Sequence, residues 1–219
     1  MIGSPEINKV IRHNLSPLLK QYGLTQLQTR HNWGWHGPCT WVLDIRAVGD
    51  SFAEVTGWPP MSMGIGLGVF YDFVPVGFPG TVKLSADGRP LPRETDCQQR
   101  SHLNIGLDQW KHTQRLENSA EQIRTDIWWI EPDGSNVEEV VNDIAQQFVA
   151  EGLPWFERMT DIPSAYADIE SERDCFQKFS RAAYFAKHLN REEEYHNYRS
   201  KMEREAHRIG RASWLAQYP

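Results

Sequence analysis

The sequence predicts an α+β fold: a mostly antiparallel sheet packed by an N-terminal helix and by helices that follow it, with a C-terminal αα-hairpin. Three observations predict this. The periodicities run in blocks, first helical, then alternating, then helical again. Between about residues 40 and 130 no helical pattern separates the strands, as a parallel sheet's crossovers would require. The last two helical patterns are joined by a short connection at Asn190, which makes them antiparallel neighbours.

The first element, "SPEINKVIRHNLSPLLKQYGL", carries Ile7, Val10, Ile11, Leu15, Leu18 and Leu19 on one helical face. Ser4 is its expected N-cap and Pro5 fits the first turn. Pro17 lacks a backbone donor and is expected to kink it; Gly23 is the expected stop. "RHNWGWHGPCTW" reads as a glycine-rich turn or loop leading into a strand, with Trp33 and Trp35 covering a core edge or forming a contact patch. His31 and His36 point to opposite faces of any continuous strand, so sharing a metal would need a turn at Gly34 or Gly37-Pro38. No third ligand stands at a known spacing, and no metal site or cofactor is expected.

"TWVLDIRA" alternates Trp41, Leu43, Ile45 and Ala47 with Val42, Asp44 and Arg46. "MGIGLGVFY" sets Ile65, Leu67, Val69 and Tyr71 against a bare face of Gly64, Gly66 and Gly68. This is no dinucleotide fingerprint, because the third glycine comes a residue early and no helix follows. "TVKLSADGRPLP" holds an Asp-Gly turn at 87–88. "QRSHLNIGL" opposes Leu103 and Ile105 to Arg100, His102 and Asn104, and "DIWWIE" is a last short strand.

The next helix begins in a Ser135–Glu138 capping box, buries Val137, Val140, Val141, Ile144 and Phe148, and is expected to close at Gly152. The chain is expected to change unit near "TDIPSAYADI", giving an α+β domain over 1–163 and a helical appendage over 164–219. In the hairpin Phe176, Phe179, Ala183 and Ala186 should face Tyr195, Tyr198, Met202 and Ile209.

Of 219 residues 40% are hydrophobic and 24% charged, an ordinary soluble balance; nine are tryptophan. The formal charge of −6 speaks against sequence-blind nucleic-acid binding. It is unevenly spread: residues 171–219 hold ten Lys/Arg against seven Asp/Glu, and the rest hold thirteen against twenty-two. Cys39, Cys97 and Cys175 are too few and too scattered for a disulfide framework. The N-terminus has no signal-peptide core, and the most apolar window is broken by Asp72 and Pro75. A cytoplasmic protein with no membrane contact is expected. His196 and His207 share a helix face but lie about 16 Å apart along it, too far for one ion. No Gly-x-Ser-x-Gly elbow is present.

Asp44, Arg46, Arg100, His102 and Asn104 occupy the polar sides of their strands, and the bare face of Gly64, Gly66 and Gly68 can join them. If the strands are neighbours, the result is a shallow polar groove floored by glycine, suited to an acidic ligand or a partner's loop. The plain alternative is a solvated face, or one covered by the C-terminal hairpin.

"LSPLLKQYGL", "GIGLGVFY", "DCQQRSHLNIGL" and "DIWWIEPDGSNVEEVVNDIAQQFVAEGLPWFERM", in that order, resemble an uncharacterised bacterial family, domain of unknown function 4304, over residues 5–160. Trp128-Trp129 before an acidic turn and "GLPWFER" carry most of the resemblance; "HNWGWHG" and "GWPPMSM" depart from it. The resemblance implies an α+β domain and no catalytic residue or cofactor.

Two functions follow as expectations. The first is a non-enzymatic protein-binding or regulatory module, partner-neutralising in one form, anchored by Trp33, Trp35, Trp58 and the C-terminal helices, with a protein partner or self-association. The second is a receptor or enzyme for an anionic small molecule in the sheet groove, with His102 as acid/base and Arg100 or Arg46 as anion clamp.

Overall fold

The structure, a computed structural model, describes residues 2–76 and 82–218. The N-terminal helical segment comprises α1 (Ser4–Val10), a π-turn (Ile11–Leu15) and α2 (Ser16–Gln21). Ser4 is its first helical residue and Gly3 its cap, with Gly3 N–H donating to Glu6 Oε2 at 3.2 Å. The disturbance expected at Pro17 takes the form of the π-turn, whose wider ring accommodates a residue that cannot donate to the preceding turn. Gly23 ends the segment with φ +98°.

The sheet follows: β1 (Gln26–Gln28), β2 (His31–His36), β3 (Cys39–Ala47), then after α3 (Asp50–Thr56) β4 (Met63–Tyr71). A separate hairpin, β5 (Lys83–Leu84) and β6 (Pro90–Leu91), turns at Asp87-Gly88; its expected start at Thr81 lies outside the described residues. A 3₁₀ turn (Glu94–Asp96) leads into β7 (Gln99–His102). After α4 (Trp110–Thr113) and α5 (Ser119–Gln122), β8 (Ile127–Trp128) completes the sheet. The order is β1-β2-β3-β4-β7, with β8 pairing β4 beyond β7, and every pairing is antiparallel. Residues 31–36 are therefore a strand and not a loop: His31, Trp33 and Trp35 alternate with Asn32, Gly34 and His36, and the two-residue turn falls at Gly37-Pro38.

The remaining helices are α6 (Val137–Gln147), a second π-turn (Phe148–Gly152), α7 (Leu153–Thr160), α8 (Ile162–Ser171), α9 (Phe176–His188) and α10 (Glu192–Arg208), then a 3₁₀ segment (Ala212–Gln217). The Ser135–Glu138 box does not form. Asn136 is the cap, and its carboxamide braces the preceding turn by accepting from Glu131 N–H and donating to the Trp129 carbonyl, both at 2.8 Å. Gly152 does not close the helix. A Cβ there would sit 3.1 Å from Leu103 and 3.2 Å from Phe148, so the glycine serves close approach to the sheet while the helix runs on to Pro154. Pro17 and Pro154 each follow a π-turn by two residues.

One hydrophobic core joins these parts. Trp41, Leu43, Ile45, Ile65, Leu67 and Val69 of the sheet meet Ile7, Ile11 and Leu15 beneath and Val140, Val141 and Ile144 of α6. The same core continues through Tyr166 and Phe185 to Met202 and Ala206, and the expected boundary at 163/164 falls within α8. In the C-terminal hairpin Ala206 takes the inward place expected of Ile209, which is 38% exposed. Among the described residues no helix is long and apolar enough to cross a membrane.

Candidate functional site

Antiparallel pairing sets Asp44 opposite Gly66, Arg46 opposite Gly64, His102 opposite Gly66 and Arg100 opposite Gly68, so the seven share one sheet face. Trp33 and Trp35, opposite Val42 and Thr40, join them. The face is not an open groove, because the chain's own turn 93–98 lies across it. A Cβ on Gly68 would stand 2.5 Å from Cys97 Sγ, and one on Gly66 would stand 2.8 Å from the Arg46 guanidinium and 3.1 Å from Glu94 Cγ. The glycine stripe thus admits a backbone turn, not the C-terminal hairpin.

Charge pins that turn down. The Glu94 side chain is 3% exposed; its Oε1 accepts from Arg100 Nε at 2.5 Å and its Oε2 lies 3.5 Å from Arg46 Nη1. Beneath it Asp44 accepts from His31 Nδ1 at 2.9 Å and from Glu94 N–H at 3.0 Å. A buried carboxylate is tolerated only with such partners. Hydrogen bonding to Glu94 raises the pKa of Arg100. Burial, followed by the neighbouring charges of Glu94 and Asp44, pushes the Cys97 thiol well up, which removes it as a nucleophile. Burial and Asp72 push Cys39 up to about 12.

The three tryptophans expected at a contact surface are occupied internally. Trp33 Nε1–H donates to the Pro92 carbonyl at 2.6 Å and Trp35 Nε1–H to the Pro90 carbonyl at 3.1 Å, with Arg89 stacked over Trp35. Trp58 is 1% exposed, donates to Glu121 Oε2 at 2.8 Å and packs on Trp129 in a second, smaller core. His31 and His36 point to opposite faces of β2; His36 stacks on Trp41 at 3.7 Å on the core side. Among the described residues no group of three His, Cys, Asp or Glu side chains is placed to hold a metal ion.

What stays open is a cleft of about 410 Å³ at the end of the face that the turn leaves uncovered. Arg46, Gly64 and His102 enter it from the sheet; Phe52 of α3 and Arg124, Asp126 and Ile127 before and within β8 complete it. The Gly64–Ile127 pairing brings the β8 approach alongside, and a Cβ on Gly64 would sit 3.3 Å from the Asp126 carbonyl oxygen. Arg124 grips Asp126 with both prongs, at 2.9 and 2.7 Å, and its guanidinium lies 5.6 Å from the Phe52 ring centre. Hydrogen bonding to Arg124 lowers the Asp126 pKa, and the reciprocal bond raises that of Arg124.

Of the expected site residues, the cleft therefore gathers Arg46, Gly64 and His102. Asp44, Gly66 and Gly68 lie beneath the turn, and Arg100 emerges on its far side beside Gln98 and Arg181. Asn104 is drawn away to Glu151 and Thr125. Phe52, Arg124 and Asp126 are additions; the polar alternation of Arg124 and Asp126 ahead of "IWW" was their only sequence signal. No protein-family model, no curated protein and no solved structure matches the chain.

Proposed function

We propose that the protein binds an anionic small molecule in the cleft of Arg46, His102 and Arg124. The observation carrying this reading is the convergence of the half-exposed Arg46 guanidinium and the His102 imidazole, beside the Arg124–Asp126 pair, on one concave opening of a chain whose formal charge is −6. The Arg46 side chain is 55% exposed and keeps donors unspent by its 3.5 Å approach to Glu94. The resemblance of residues 5–160 to domain of unknown function 4304 supplies no activity, so the reading rests on the cleft.

Calorimetric titration with acetate, phenylacetate, inorganic phosphate and citrate tests it. At least one should bind saturably, with a Kd near or below about 1 mM, and should weaken at least fivefold in Arg46→Ala. Failure of all four, or equal binding by the variant, overturns the reading.

A protein-binding role has a separate support in Val55, Ile123 and Trp110, which are 86%, 74% and 52% exposed on the segments around the second core. Light scattering across a concentration series tests self-association through them, with Val55→Ser expected to abolish any dimer.

A further inference from the structure

The charges and walls of the cleft specify its ligand more closely. Arg124 is already matched by two carboxylates, Asp126 and Glu121. On the opposite side Arg46, and Arg100 behind it, share the single carboxylate of Glu94, which leaves one positive charge there, on the half-exposed Arg46. A second negative charge on a ligand would face Asp126 at the rim and Glu94 beneath, with no cation to meet it. The rest of the lining is apolar: Val48, Phe52, Ile65 and Ile127 form a wall beside the cationic end. At about 410 Å³ the space lies toward the lower end of small-molecule sites, which run roughly 300–1,000 Å³.

We infer that the ligand is a monoanion with an apolar body about the size of one ring, an aromatic or branched aliphatic carboxylate, seated with its carboxylate on Arg46 and its body on Phe52 and Ile127. This inference rests on the anion-binding reading and adds the ligand class to it. Phe52 is then a specificity-determining residue. Its ring already stacks under Arg124, so a bound ring extends an existing cation–π arrangement.

The same four-anion panel on the full chain tests the class. Phenylacetate should bind at least tenfold more tightly than acetate, because burying about 100 Å² of apolar surface is worth more than one decade in Kd. It should also exceed citrate. Phe52→Ala should erase most of the advantage of phenylacetate over acetate; if that variant does not fold, the wild-type series decides alone. Equal binding of acetate and phenylacetate, or tighter binding of citrate, overturns the ligand class while Arg46-dependent anion binding stands. Absence of binding by the whole panel overturns both.

Discussion

Replacing Gly68 by alanine separates two opposed effects. By strand propensity alone the change should stabilise, since glycine in a strand interior costs about 0.5–1 kcal/mol relative to alanine. The structure predicts the reverse. The new methyl would lie 2.5 Å from Cys97 Sγ, 2.8 Å from Cys97 Cβ and 3.3 Å from Glu94 Cα. Ordinary contact begins near 3.5 Å, so the turn must lift by about 1 Å. It cannot lift freely, because Asp44 holds Glu94 N–H at 3.0 Å and Arg100 holds the Glu94 carboxylate. Overpacking of this kind costs about 1–3 kcal/mol, and stretching one of those bonds adds about 1 kcal/mol. After the propensity gain, a net loss of about 1–3 kcal/mol remains, a fall in Tm of roughly 3–10 °C for a chain of this length. Thermal and urea unfolding of Gly64→Ala, Gly66→Ala and Gly68→Ala should show a graded loss. It should be near zero at Gly64, where the nearest atom is 3.3 Å away, and largest at Gly68. Cys97→Gly should relieve part of the Gly68→Ala cost in the double variant. A Gly68→Ala protein as stable as the wild type, or no coupling to Cys97, would refute the packing of the turn on the glycine stripe.

Other consequences are simpler. Asp143 is buried and accepts from Trp128 Nε1–H at 2.7 Å and Gly106 N–H at 3.0 Å, so Asp143→Ala should cost about 2–4 kcal/mol by orphaning both donors, and Asp143→Asn distinctly less, read by urea unfolding. Burial lowers the His36 pKa from 6.5, so the folded state favours the neutral ring. Its contribution is complete above pH 6.5 and is lost as pH falls from there through the folded pKa; His36→Gln should flatten the stability–pH curve in that window. Cys39 and Cys97 are buried and Cys175 is partly exposed, so a thiol reagent should label one cysteine in the native protein and three in denaturant.

The sheet was legible because its central strands alternate cleanly. Leu43, Ile45, Ile65 and Leu67 announce the core face, and antiparallel neighbours then force Arg46, Gly64 and His102 together. Strand β2 was not, since a central glycine and alternating aromatic and polar residues without an aliphatic side chain hide its period. The bare glycine face invited the thought of a ligand, yet what fills it is a turn some thirty residues away in sequence. Nothing local in "PRETDCQQR" states that Glu94 will be buried; the fact comes from Arg46, Arg100 and the Asp44–Glu94 bond together. Trp33, Trp35 and Trp58 turn inward for a related reason, because each of these three indole N–H groups finds an acceptor within the chain. The two π-turns, read in the sequence as a kink and a stop, place their prolines without breaking the helices.

The most direct test of the central claim is a ¹H–¹⁵N NMR titration of the full chain with phenylacetate. The account predicts saturable shifts concentrated at the amides of Arg46 to Gly49, Gly64, His102 and Asp126. Shifts gathered instead around Gln98, Arg100 and Arg181, or none that saturate, would contradict it.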